Sequence, residues 1–263
     1  MTYFEALILG IIQGLTEFLP VSSSGHIEIG KAILGVEMKE DLTFTVVVHG
    51  ATVLSTLVVF RKDIYLILKE AVKFEVNDSN RYLMKIGVSM IPVLIVGLFF
   101  KDQIESLFFG NVPLVGVMLL VTAALLSITY YAKPQNGGVT FGKALLIGIM
   151  QAVAVIPGIS RSGATISTAL IAGVDKEEAT RFSFLMVLIP ILGANFLDIL
   201  KSSSQDQYST QFIPLTIGFI AAFLSGWWAC SSMLKIVKKG KLIYFVIYCA
   251  LAGITSIIVS VWM

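Results

Sequence analysis

Two short tracts of this chain hold the residue types that phosphoryl chemistry needs. The first reads Gln13-Gly14-Leu15-Thr16-Glu17-Phe18-Leu19-Pro20-Val21-Ser22-Ser23-Ser24-Gly25-His26, and the second Pro157-Gly158-Ile159-Ser160-Arg161-Ser162-Gly163-Ala164-Thr165. Gln13 and Glu17 are four residues apart, so on a helix they share one face. Pro20 disfavours helix at Leu19 and breaks the hydrogen-bond ladder. The serine run and Gly25 then suit a turn that caps a second half-helix, with His26 in or near its first turn. Arg161 is a permanent cation inside an otherwise apolar segment. At a membrane helix centre such a residue costs about 3 kcal/mol on insertion scales, which marks it as functional. A guanidinium beside a half-helix N-terminus is a site for phosphate or carboxylate.

Arg161 would neutralise phosphate oxygens and the charge that develops in transfer. Ser23 or His26 could attack phosphorus directly; alternatively His26 could activate water or protonate the leaving group. Glu17 would orient His26, or share Mg²⁺ or Ca²⁺ with a substrate diphosphate, with Gln13 as the second residue beside the ion. Ser22, Ser24, Ser160, Ser162 and Thr165 are candidate substrate-binding groups. Close helix packing is the competing reading for these serines. Glu28, two residues past His26, points elsewhere on a helix. His49 and Asp198 are unusual in or beside apolar runs and are read as structural pairing or edge positions.

The elements that position these residues are repeated. Ala6–Thr45 aligns without a gap on Ala144–Ser183 at an offset of 138. Ala6, Gly10, Gln13, Ser22, Ser24, Gly25, Gly35, Val36, Glu40 and Phe44 recur as Ala144, Gly148, Gln151, Ser160, Ser162, Gly163, Gly173, Val174, Glu178 and Phe182. Paired hydrophobic segments interrupted at matching positions point to the functional site of a membrane protein. The repeat also fails informatively: Glu17 faces Val155, Ser23 faces Arg161, and His26 faces Ala164. One half carries the carboxylate and imidazole and the other the guanidinium, as expected of one composite site.

Composition fixes the class. Hydrophobic residues make up 56% and charged residues 14%, and the mean hydropathy is +0.88, far from a soluble domain. Apolar runs of spanning length fall near 42–60, 83–100, 112–131, 182–200, 212–234 and 242–262. The N-terminal apolar run lacks a basic leader and carries Glu5, Gln13 and Glu17, so it reads as part of the repeat and not as a cleaved signal peptide. Cys230 and Cys249 read as small core residues, and Trp227, Trp228 and Trp262 as interfacial ones. A net charge of +2, with no basic tract interleaved with aromatics, gives no case for nucleic acid.

Lys235, Lys238, Lys239 and Lys241 form the densest basic loop and are placed in the cytoplasm. Working back, 36–41, 101–111 and 201–211 fall outside, and 61–82, 132–143 and 175–181 inside. Residues 143–174 then begin and end on one side, and 1–36 mirror them from the other. The expected fold is an all-α polytopic membrane protein with six transmembrane helices plus two re-entrant helical hairpins in an inverted-topology repeat. Its halves are 1–131 and 139–263 of a single membrane domain. Broken backbone survives at that depth only where it is buried or lines water, so the hairpin tips should meet in a polar cavity. The rest of the substrate is then expected to be a lipid.

The two tracts, in this order, closely resemble the bacterial undecaprenyl-diphosphate phosphatase family known as bacitracin resistance proteins, and Glu178–Phe184 is similar to the segment after its second motif. The resemblance implies removal of one phosphate from a C55 polyprenyl diphosphate, giving the carrier for peptidoglycan synthesis. It further implies the plasma membrane, an active site open to the outer face, divalent-metal dependence and a homodimer. Residue by residue, the family's acidic motif falls on Gln13 and Glu17, its serine on Ser23, its histidine on His26 and its arginine on Arg161. Many members have Glu where this chain has Gln13, which cannot act as a base or an anionic ligand. The rival class is an inverted-repeat lipid-phosphate transporter or flippase whose tips bind without cleaving.

Overall fold

A computed structural model describes residues 1–35, 41–73, 77–100, 103–104, 106, 111–132, 136–193, 195 and 212–262. Val36, Glu40, Asp198 and the loop 201–211 lie outside the described residues. Among those described, the fold is helical throughout, without a strand. Helix α1 (Tyr3–Phe18) starts on a capping box, in which Thr2 and Glu5 satisfy each other's backbone N–H groups. It turns at Pro20 into α2 (Ser23–Leu34), which ends on Gly35 in the left-handed conformation. The second copy repeats the plan in α7 (Phe141–Val153) and α8 (Arg161–Ile171).

Between and after these hairpins lie further helices. They are α3 (Asp41–Val59), α4 (Arg61–Ala71), α5 (Asp78–Phe99), α6 (Val112–Ile128), α9 (Lys176–Met186), α10 (Phe212–Lys238) and α11 (Ile243–Trp262). Four segments, Asp78–Phe99, Val112–Tyr131, Phe212–Lys238 and Ile243–Ser260, are long and apolar enough to cross a membrane. The span expected at 42–60 bends by 77° where α3 meets α4, and the pair counts as a fifth span only if taken together. The span expected at 182–200 is interrupted: α9 stops at Met186, a turn falls at Val187, and helix resumes over 188–193. Large side chains such as Leu98, Leu224, Trp228 and Leu251 lie more than half exposed, as expected of a surface solvated by lipid.

The halves exchange partners. α1 packs along α10, while its counterpart α7 packs along α5, and α6 and α11 pack on each other. Lipid offers no hydrophobic drive between helices, so small residues decide how closely they approach. A Cβ at Gly10 would strike the Gly218 carbonyl, and one at Gly148 would strike the Ser89 backbone. Gly116 and Gly253 face each other's carbonyls in the same way. This cross-packing carries the two hairpin tips to one place.

Candidate active site

Each tip is built as a capped half-helix. Ser22 and Ser160 are the N-caps of α2 and α8, and their Oγ atoms accept from the Gly25 and Gly163 amides at 3.3 and 3.0 Å. The next serine but one pairs with each cap, Ser22 with Ser24 at 3.4 Å and Ser160 with Ser162 at 3.3 Å. The tips are pinned from behind by α6 and α11. Thr122 Oγ1 donates to the Gly158 carbonyl (3.1 Å) and accepts from the Ser160 amide (2.9 Å). Cys249 Sγ approaches the Pro20 carbonyl at 3.5 Å.

Glu17, one residue before the end of α1, is the hub. Its side chain is 5% exposed. Oε1 is ion-paired with the Arg161 guanidinium at the start of α8. Oε2 accepts from Ser23 Oγ at 2.7 Å and from Gln13 Nε2 at 3.0 Å. His49 Nε2, on α3, stands 4.0 Å from the same oxygen. Two charges at this depth are tolerable because they meet each other and the carboxylate's remaining lone pairs find donors. The composite site expected from the repeat therefore forms around Glu17, Ser23 and Arg161.

A cavity of about 740 Å³ opens in front of this group. Glu17, Ser23, Ser24, His49, Ser160 and Arg161 line its polar end, and Val93, Leu94, Leu98, Phe99 and Ile104 its apolar flank. This division suits a ligand with an anionic head and a hydrocarbon tail. The other expected substrate groups lie behind the wall. Ser22 caps α2; Ser162 Oγ donates to the Leu19 carbonyl at 3.2 Å. Thr165 Oγ1 bonds the Arg161 carbonyl at 2.8 Å and pairs with the Ser183 hydroxyl. These residues hold the backbone that aims Arg161, and do not themselves reach the cavity.

His26 is placed elsewhere than expected. Its Nδ1 meets the Ser22 carbonyl at 2.8 Å, its Nε2 meets the Tyr248 hydroxyl at 2.7 Å, and the two rings stack at 5.5 Å. It is absent from the cavity lining, because both its nitrogens are committed to α2 and α11. The imidazole that approaches Glu17 is that of His49, which the sequence reading left as structural. Its contacts run between helices, so local spacing gave no signal.

The donors expected around a divalent ion, Glu17 and Gln13, are arranged otherwise. Gln13 turns its NH₂ group, not its oxygen, toward Glu17. Both Glu17 oxygens already accept from side chains. No cluster of three His, Cys, Asp or Glu suited to a metal occurs among the described residues. These side chains do not fit a protein-held cation between them.

Comparison with known proteins places this geometry. The family model described as bacitracin resistance protein BacA matches residues 6–255. A protein of Bacteroides fragilis named undecaprenyl-diphosphatase is 54% identical over 263 residues, covering 99% of both chains. One of the same name from Parabacteroides distasonis is 54% identical over 260 residues, 98% of both chains. Another, from Salinibacter ruber, is 40% identical over 265 residues, covering 96% of this chain and 97% of its own length.

Proposed function

Because the chain belongs to the bacitracin resistance protein BacA family, we propose that it is a multi-pass membrane phosphatase that hydrolyses undecaprenyl diphosphate to undecaprenyl phosphate and inorganic phosphate. The reaction recycles the lipid carrier of peptidoglycan synthesis and confers resistance to bacitracin. The observation that carries the reading is the Glu17–Arg161 pair, which joins the two hairpins with the Ser23 hydroxyl on the same carboxylate. In this reading Arg161 holds the terminal phosphate and meets the charge that develops on its oxygens. Ser23 Oγ, aimed by Glu17, attacks phosphorus, and the anhydride bond to the polyprenyl phosphate breaks. Water then cleaves the phosphoseryl bond and frees Ser23. His26, tied to Tyr248, orients α2 and does not act as nucleophile. A divalent ion brought in by the substrate would neutralise charge on the diphosphate, leaving Arg161 and Ser23 in the roles given.

The same reading takes up the finer topology. By rise per residue, α1, α2, α7 and α8, at 16, 12, 13 and 11 residues, reach about 24, 18, 20 and 17 Å. A bilayer core is about 30 Å thick. Helices this short support two re-entrant hairpins, and the exchanged packing of α1 and α7 supports an inverted repeat; six spans require that both the bent α3–α4 pair and the interrupted run at 182–200 cross as well. The cavity is walled by the ends of α3 and α5 next to 36–41 and 101–111, the loops that the charge rule puts outside. This placement supports an active site on the outer face of the plasma membrane; a homodimer is taken from the family resemblance alone.

The test is phosphate release from undecaprenyl diphosphate by purified protein in detergent, with and without EDTA. Release that is lost in Arg161→Ala is the expected result. Retained lipid binding without release by the well-folded wild type would instead select the transporter reading.

A further inference from the structure

We propose that His49 is the general base of this site, the group that removes the Ser23 proton. The proposal rests on the phosphatase reading above and supplies what that reading leaves open, the destination of the proton. Among the described residues that line the cavity, Glu17, His49 and Arg161 are the only charged or titratable side chains. Arg161 holds its proton permanently. Glu17 already accepts from Arg161, Ser23 and Gln13, so its oxygens are arranged to hold groups in place. Gln13, as an amide, has no basic atom to offer.

The ring of His49 is oriented for the task. Its Nδ1 lies 2.8 Å from the Thr45 carbonyl, an oxygen that can only accept, so Nδ1 carries the hydrogen. In the neutral ring the lone pair is then on Nε2, which faces Glu17 Oε2 at 4.0 Å. That oxygen is the one bonded by Ser23 Oγ at 2.7 Å. The base, oriented by the Thr45 carbonyl, and the proton donor, oriented by Glu17, thus lie beside the same carboxylate oxygen; separations of this kind tighten when substrate closes the site. The asymmetry that marked Glu17 also marks His49: continued past Thr45, the repeat offset sets His49 against Val187.

The step balances. The proton of Ser23 passes to His49 Nε2 as the bond from Oγ to the terminal phosphorus forms. The anhydride P–O bond breaks, and its electron pair leaves with the polyprenyl phosphate. The resulting imidazolium is paired by Glu17. When water attacks the phosphoseryl group, the imidazolium returns its proton to the departing Oγ, and both hydrogens of the water leave with inorganic phosphate. The neutral ring is regenerated.

The experiment compares wild type with His49→Ala and His49→Asn, measuring phosphate release from undecaprenyl diphosphate and repeating the Ala assay with added imidazole. Asn keeps an N–H for the Thr45 carbonyl and lacks the Nε2 lone pair. We expect both variants to lose about 10²–10⁴-fold in kcat with KM within about threefold, and free imidazole to restore part of the activity of His49→Ala. Rescue also shows that the variant is folded. Near-normal kcat in His49→Asn, a loss confined to KM, or no response to imidazole in a correctly folded His49→Ala would each overturn the proposal. Failure of the wild type to release phosphate would instead defeat the phosphatase reading itself.

Discussion

The two hairpin tips have nearly the same skeleton and almost none of the same chemistry. Both cap a half-helix with serine, both pair that serine with the next but one, and both are pinned by a long helix behind them. Yet the first supplies Glu17 and Ser23 and the second supplies Arg161. Their backbones also differ at the cap. Ser22 sits at φ +70°, the one non-glycine residue with positive φ among those described, whereas Ser160 sits at φ −71°. In the second tip the left-handed residue is Gly158, at φ +92°, which bears that conformation without a Cβ penalty. The duplicated parts make the turn, and the diverged parts meet at the cavity. Strain is accepted only in the tip that presents Ser23.

This contrast is open to direct attack. The largest effect should come from Glu17→Gln, which strips Arg161 of its partner and Ser23 of its acceptor. We expect a fall in kcat of about 10³–10⁴-fold in protein that still elutes as a single folded species; a variant with ordinary turnover would remove the carboxylate from the mechanism. Arg161→Ala, on the other tip, should cost about 10²–10³-fold. If Arg161→Lys recovered full activity, point charge would suffice and the forked geometry would be irrelevant.

His26→Ala should sit well below both, within about tenfold of wild type, because it gives up the Ser22 and Tyr248 hydrogen bonds, each worth roughly 1 kcal/mol, and no contact with the cavity. Tyr248→Phe, which loses only one of those bonds and keeps the stacked ring, should match it in assay and lose less thermal stability. A collapse of turnover in His26→Ala alone would return His26 to the chemistry. The smallest effects separate the caps. Ser160→Gly removes a cap and adds chain entropy, for a loss of about 1–2 kcal/mol. Ser22→Gly loses its cap but relieves a strain of about 1–2 kcal/mol, so it should be close to neutral. Thermal unfolding in detergent reads the difference, and equal losses would mean that Ser22 is unstrained.

Much of this was legible in the sequence, and the remainder was hidden for physical reasons. Glu17, Ser23 and Arg161 stood out because the repeat breaks at those positions, and they do converge. The half-helices were visible because Pro20 and the serine runs interrupt apolar segments locally. The position of His26 could not be read from its motif, which is local, while its partner Tyr248 lies 222 residues away. His49 stands out in the sequence but reads as structural for the same reason in reverse: nothing near it in sequence shows that α3 runs beside α1. The span expected at 182–200 reads as one apolar run, since hydropathy is blind to the turn at Val187. Side-specific cysteine labelling at Lys238, expected inside, and at Asp206, expected outside, tests the topology. Labelling of Lys238→Cys from the outside would reverse the topology.

The exchanged packing also sets a clock on synthesis. Gly10 is made early, but the Gly218 carbonyl it rests on arrives some 200 residues later. At typical elongation of about 5–20 residues per second this is a delay of roughly 10–40 s. α1 waits for α10 throughout that interval, and until Arg161 is made, for the greater part of it, the nascent chain holds in Glu17 an acid whose partner has yet to be translated. The first half of this protein is therefore an unfinished intermediate until the last helices leave the ribosome.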